Sequence, residues 1–258
     1  MQLNLEGRRA LVCGASQGLG YACAASLARE GAAVFLVARR PQPLAEAVAG
    51  LSARGAQAHA VAADIATAEG RAAALRACPR PDILVTNAGG PPPGSYRDWD
   101  EADWLRALGA NMLAPIELIK AVLDGMARAG FGRIVNITSG ALKAPADALG
   151  LSNGARMGLT GFVAGIARLH AGRNVTINNL LPGAFLTARL RDGAAAMARH
   201  AGTDAESLLA ERRRAIPAGR FGEPAEFGDL CAYLCSAQAG YITGQNLLID
   251  GGAYRGVF

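Results

Sequence analysis

Gly14-Ala15-Ser16-Gln17-Gly18-Leu19-Gly20 follows directly on the apolar run Arg9-Ala10-Leu11-Val12-Cys13 and precedes a helical stretch. A strand, a tight glycine turn and a helix start, in that order, let backbone N–H groups cradle a pyrophosphate. A glycine cluster alone is weak evidence, because any strand-to-helix turn can use glycine for positive φ. Here the pattern is right on both sides. A nucleotide cofactor is therefore the first expectation, with Gly14, Ser16, Gln17, Gly18, Leu19 and Gly20 forming its turn.

Outward from this turn, short apolar runs alternate with helical patterns. Strands are expected at Ala10–Cys13, Ala33–Ala38, Ala58–Ala62, Ile83–Thr86, Arg133–Ile137, Val175–Leu180 and Asn246–Ile249. Helices are expected at Leu19–Glu30, Pro43–Arg54, Ala68–Ala77, Glu101–Ala129, Leu151–Ala171 and Pro224–Ser236. Runs of Val, Ile and Leu without alternation suit strands buried on both faces. The repetition predicts a doubly wound, Rossmann-like parallel α/β sheet of about seven strands with helices on both faces. No repeat or long linker divides residues 1–258, so one domain is expected.

Two segments break the rhythm. Gly89-Gly90-Pro91-Pro92-Pro93-Gly94 cannot be helix or central strand, and it follows a strand end, where ligands of open α/β sheets bind. Residues 184–216 form a helix-prone excursion between the last two strands. It reads either as a substrate lid or as an ordinary surface hairpin.

With 51% hydrophobic and 18% charged residues, the chain can build a sizeable core. No apolar run reaches the roughly 18–20 residues of a membrane span, so no membrane partner is expected. The start, Met1-Gln2-Leu3-Asn4-Leu5-Glu6, shows no basic-then-apolar secretory pattern. Five cysteines without a compact framework also disfavour secretion, and a cytoplasmic protein is expected. Cys231 and Cys235 are one helical turn apart without a matching Cys/His pair, which reads as core packing, and no metal site is expected. The net charge of +5 rests on arginine, since Lys120 and Lys143 are the only lysines. The cluster Arg212-Arg213-Arg214 is short and free of aromatics, so nucleic acid is not an expected partner. A dinucleotide or an acyl phosphopantetheine suits this charge better.

The glycine spacing G-x-x-x-G-x-G resembles that of the short-chain dehydrogenase/reductase superfamily, and the resemblance runs over almost the whole chain. Thr86-Asn87-Ala88-Gly89 is similar to the family's Asn-Asn-Ala-Gly after the fourth strand. Asn111 falls in the long fourth helix, where the family keeps a catalytic asparagine. Arg133-Ile134-Val135-Asn136-Ile137-Thr138-Ser139 resembles the fifth strand ending in the catalytic serine. Pro182-Gly183 with Thr187 matches the loop against the nicotinamide, and Tyr241-Ile242-Thr243-Gly244-Gln245 through Asp250-Gly251-Gly252 resembles the family's C-terminal end. The resemblance implies coenzyme contacts from Asn87, Ala88, Gly89, Pro182, Gly183 and Thr187, and an overall likeness to 3-oxoacyl-acyl carrier protein reductases. It also implies a homotetramer or homodimer built on the fourth and fifth helices and the C-terminal segment. The small residues Gly161, Val163, Ala164, Gly165 and Ala167 permit such packing, with burial inside the domain as the alternative.

The second strand ends in Ala38-Arg39-Arg40 with no acid. An acid there binds ribose hydroxyls, whereas a cation accommodates a 2′-phosphate. Arg39 is thus a candidate phosphate clamp, with Arg40 beside it, favouring NADP(H) over NAD. Asp64, followed by Ile65, closes the third strand. The resemblance implies that it contacts the adenine amine, while as a lone acid it competes with Thr67 for a helix cap.

The site departs from the family pattern. A Tyr-x-x-x-Lys pair is expected thirteen residues after Ser139, and Ser152-Asn153-Gly154-Ala155-Arg156 stands there instead. Residues four apart share a helix face, so Ser152 and Arg156 are expected in one pocket. Serine is a far weaker acid than tyrosine, and arginine does not release its proton. Neither inherits the phenol's role. Of the remaining tyrosines, Tyr96 is the one candidate for a substitute acid. Ser139, Ser152, Arg156 and Asn111 are the candidate catalytic set, with Arg156 also placed to hold the nicotinamide ribose as the family lysine does. Three functions remain open: an NADP(H)-dependent reductase of a small carbonyl or acyl-thioester substrate, a dinucleotide-binding sensor or partner without turnover, and a non-redox enolate chemistry.

Overall fold

Seven short runs become seven parallel strands, and the inner ones are buried on both faces because helices cover both. The computed structural model describes residues 2–257. The strands are β1 (Arg9–Cys13), β2 (Ala33–Ala38), β3 (Ala58–Ala62), β4 (Ile83–Thr86), β5 (Gly132–Ile137), β6 (Val175–Pro182) and β7 (Asn246–Ile249). They lie in the order β3-β2-β1-β4-β5-β6-β7. The order reverses between β1 and β4, which puts a ligand crevice outside their carboxyl ends.

Nine α-helices connect and cover the strands among the described residues: α1 (Gly18–Arg29), α2 (Pro41–Ser52), α3 (Ala68–Ala77), α4 (Glu101–Leu108), α5 (Ala114–Ala129), α6 (Gly150–Ile166), α7 (Ala188–Ala201), α8 (Ala205–Arg214) and α9 (Pro224–Cys235). One core packs Leu27, Leu44 and Phe227 from α1, α2 and α9 against the sheet. The other packs Leu118, Ile119 and Leu159 from α5 and α6. All five cysteines are free and buried, as core packing requires. Burial pushes the Cys13 thiol up to about 12.

Two expectations change in detail. The stretch 101–129 is not one regular helix, because a π-helical turn at Gly109–Leu113 separates α4 from α5. Pro115 supplies the reason: it has no N–H to give the Asn111 carbonyl, and its ring would crowd that oxygen. The Ala114 N–H bonds Gly109 O, five residues back, so the turn widens around the proline. The helix expected to reach Ala171 ends at Ile166, and tight turns carry the chain to Asn174, which takes a left-handed φ of 57°.

A side-chain ladder ties four strands together next to the crevice. The Thr86 hydroxyl donates to Asn136 Oδ1 at 2.7 Å, Asn136 Nδ2 to Asn179 Oδ1 at 3.0 Å, and Asn179 Nδ2 to Asn246 Oδ1 at 2.8 Å. These residues are register partners across β4, β5, β6 and β7. Each buried amide thereby finds a partner it could not do without.

Residues 184–216 form the helical hairpin α7–α8. Leu190, Ile216 and Phe221 make a small cluster beneath it, while α8 buries nothing.

Candidate functional site

The glycine turn is held by the strand next to β1. Asn87 Nδ2 donates to Gly14 O at 3.2 Å, joining the end of β4 to the end of β1. Gly20 has no room for a side chain, since a Cβ would stand 2.3 Å from Gly14 O. Gly14 and Gly18 hold φ of 59° and 62°, the left-handed region glycine enters freely. Gln17 begins α1 without a side-chain cap, and no acid lies in the first turn. The leading N–H groups of α1 thus lack a side-chain acceptor, an arrangement that fits a diphosphate. Ser16 is half-buried and Leu19 packs on the core.

Arg39 and Arg40 are exposed at the end of β2, and Arg40 Nη2 reaches back to Gln17 Oε1 at 3.2 Å. The competition at the end of β3 is resolved. Thr67 caps α3, accepting from Gly70 N at 3.0 Å, and Asp64 Oδ1 accepts from Ala66 N at 3.0 Å. Ile65 is buried beside it. Pro182 and Gly183 close β6, where Gly183 N donates to Ile249 O at 2.9 Å. Thr187 caps α7 and lies 3.9 Å from where a Gly18 Cβ would be.

Ser152 and Arg156 share a face of α6, and both are buried. Arg156 Nε donates to Ser152 Oγ at 3.2 Å, Nη1 to Ile137 O at 2.8 Å and Nη2 to Ala88 O at 3.1 Å. The guanidinium thus fastens α6 to the ends of β5 and β4. Desolvation, and then the nearby Arg189 charge, push its pKa down to about 10. It stays a cation at neutral pH.

Ser139 Oγ accepts from Ala141 N at 3.1 Å, leaving the hydroxyl proton free to donate. Asn111 sits on the π turn and is buried. Its amide approaches Gly89 O at 3.5 Å and Ala107 O at 3.4 Å, while Oδ1 has no partner among the described residues. Asn111, Asn87, Ala88, Ile65 and Arg156 line one small cavity. Tyr96 is 66% exposed with the Arg97 guanidinium 4.4 Å from its ring centre, so it is not buried beside Ser152.

Arg189 was not among the sequence candidates. It lies on the first turn of α7, and Nη2 approaches Gly90 O in the proline loop at 3.4 Å. Its signal in the sequence was local: a cation just after the Thr187 cap opposes the helix dipole, and such conflicts cluster at functional sites. No cluster of His, Cys, Asp and Glu able to hold a metal occurs among the described residues. No helix among them is long and apolar enough to cross a membrane.

Comparison with known proteins agrees with this architecture. Residues 14–254 match the family model described as enoyl-(acyl carrier protein) reductase. The 3-oxoacyl-[acyl-carrier-protein] reductase FabG of Vibrio cholerae is 35% identical over 263 residues, covering 98% of this chain and 99% of that protein. Dehydrogenase/reductase SDR family member 4 of Bos taurus is 34% identical over 96% of this chain and 88% of its own length. The crystal structure of L-sorbose reductase from Gluconobacter frateurii, complexed with NADPH and L-sorbose, matches all of both chains with a TM-score of 0.94 at 28% identity. The chain belongs to the short-chain dehydrogenase/reductase family of oxidoreductases.

Proposed function

We propose that the protein is an NADPH-dependent reductase of small carbonyl compounds, 3-oxoacyl thioesters among them, working with a Ser152–Arg156 site in place of a phenol and an ammonium. The observation that carries this reading is the glycine turn at the uncapped start of α1, with Asn87 locking it and Arg39 and Arg40 beside it. The N–H groups after Gln17 suit the diphosphate, and Arg39 suits the 2′-phosphate. Asp64 and Ile65 flank the adenine side, while Asn87, Ala88, Gly89, Pro182, Gly183 and Thr187 lie toward the nicotinamide side. Arg156 serves the nicotinamide ribose. NAD is the weaker alternative, since no acid closes β2.

When bound, the coenzyme supplies a hydride to the carbonyl carbon, and one proton completes the alcohol. The protein's part is to polarise and hold the carbonyl oxygen. Ser139 and Ser152 each have a free hydroxyl proton to donate toward it, and Arg156 sets a fixed positive charge behind Ser152. Without a side chain of suitable acidity, water delivers the proton. The same pair also suits an enolate without net redox, a second reading that predicts substrate change with no NADPH oxidised.

The single domain 1–258, a lid formed by 184–216, a cytoplasmic setting and a homotetramer or homodimer complete the proposal. Support for assembly comes from α6, where Gly161, Ala164 and Gly165 lie at least partly exposed while Val163 and, just beyond the helix, Ala167 are buried within the domain. Leu105, Leu113 and Met157 add exposed apolar surface. Light scattering on purified protein tests assembly. Stoichiometric NADPH consumption with 3-oxoacyl thioesters, diketones and quinones tests the activity; NADPH binding with none of them reduced would reject it.

A further inference from the structure

Arg156 and Arg189 converge on Gly90, with no acid among the described residues to answer them. A Cβ built on Gly90 would stand 3.0 Å from Arg189 Nη2 and 3.6 Å from Arg156 Nη2. Arg156, only 7% exposed, gives its hydrogen bonds to two backbone carbonyls and one hydroxyl. Those dipoles solvate the cation but cancel none of its charge. Arg189 is exposed and, among the described residues, reaches only Gly90 O. Among the described residues neither arginine has a carboxylate within ion-pair distance.

The surroundings strengthen this local field. Arg189 is the second residue of α7, where the helix dipole already places positive charge, and no acid lies in that first turn. Two like charges are thus held near one another, one of them in a dry environment where such repulsion is least screened. A guanidinium offers its donors in a planar fork that matches a carboxylate. Neither arginine has used all five of its N–H groups.

We propose that the substrate carries a carboxylate close to its carbonyl group, and that Arg189, backed by the buried Arg156, receives it beside Gly90. This deepens the reductase reading and rests on it for placing the carbonyl in this cleft. A 2-oxo or 3-oxo acid answers the two charges, whereas its neutral ester does not.

The test compares each acid with its own ester: acetoacetate with methyl acetoacetate, and pyruvate with methyl pyruvate. Calorimetric titration is run on the full protein with and without NADPH. The acids are expected to bind at least tenfold more tightly than the esters. In Arg189→Gln that ratio falls toward one, and Arg189→Lys retains part of it. Equal binding of acid and ester by the unaltered protein, or no binding of either acid, overturns the proposal. NADPH binding is followed by fluorescence in the same variants. A loss there as large as the loss for the acids would assign Arg189 to the coenzyme's diphosphate and overturn the proposal equally. Because the readout is binding, it stands whether or not anything is reduced; absent turnover with NADPH bound counts against the reductase reading alone.

Discussion

The Arg156 guanidinium donates from Nε to Ser152 Oγ across 3.2 Å, one helical turn apart on α6. The serine is therefore the acceptor in this pair, and its own proton points elsewhere. A hydroxyl that accepts from a cation becomes a better donor, since each bond polarises the next. The pair is thus built to hold an oxygen that gains negative charge, not to release a proton.

Restoring the family pair by Ser152→Tyr with Arg156→Lys should raise ketone reduction by about 10²-fold, the low end of what a positioned general acid contributes. Steady-state kcat decides it, with circular dichroism to confirm folding. A drop in kcat on well-folded protein would show that the present pair is specialised.

Rates should be nearly flat between about pH 6 and 9, because the groups lining the oxygen site are serines, an amide and a guanidinium. The Arg156 pKa, lowered from 12.5 to about 10, leaves it charged throughout. The same shift sets the direction of the stability effect. Above about pH 10 the unfolded chain binds more protons at this group, so its contribution to stability rises with pH there. A bell-shaped kcat profile within the neutral range would reveal a titrating acid. Urea midpoints compared with Arg156→Met across pH 10 check the second statement.

Arg39→Ala should weaken NADPH by about 10–100-fold while leaving NADH nearly untouched, the size expected for a charge-assisted bond to phosphate. Fluorescence titration with both coenzymes decides it. Equal losses would reject the clamp.

Gly20→Ala forces a Cβ against the Gly14 carbonyl and Asn87, where neither can yield without opening the turn. A stability loss of about 1–3 kcal/mol is expected from such overpacking, together with loss of coenzyme binding. Thermal melts and fluorescence separate the two effects.

Asn136→Leu removes the middle of the four-strand ladder and strands the Thr86 hydroxyl and Asn179 Oδ1 in the core. A cost of about 2–4 kcal/mol is expected from two unsatisfied buried groups. Adding Thr86→Val should recover part of it, a non-additivity that denaturant titration measures directly.

The strands were legible because Leu11, Val12, Ile83, Leu84 and their neighbours are apolar without alternation, which few structures other than a covered parallel sheet explain. The glycine turn was legible because backbone demands write themselves locally. The Asn136–Asn179 ladder was not, since a polar residue in a strand shows its purpose only once register is known. The π turn was hidden because Pro115 inside a helical pattern signals a disturbance without its shape. Arg189 was missed because its meaning lies in Arg156 and Gly90, both far away in the chain.

The widened turn at Gly109–Leu113 carries one residue more than a regular spiral needs. Deleting a residue there, with Pro115 replaced by alanine, would knit α4 and α5 into one regular rod and draw the displaced backbone around Asn111 back onto the helix. The amide of Asn111 would then leave the cavity it shares with Arg156. A single surplus residue thus sets the aim of this side chain.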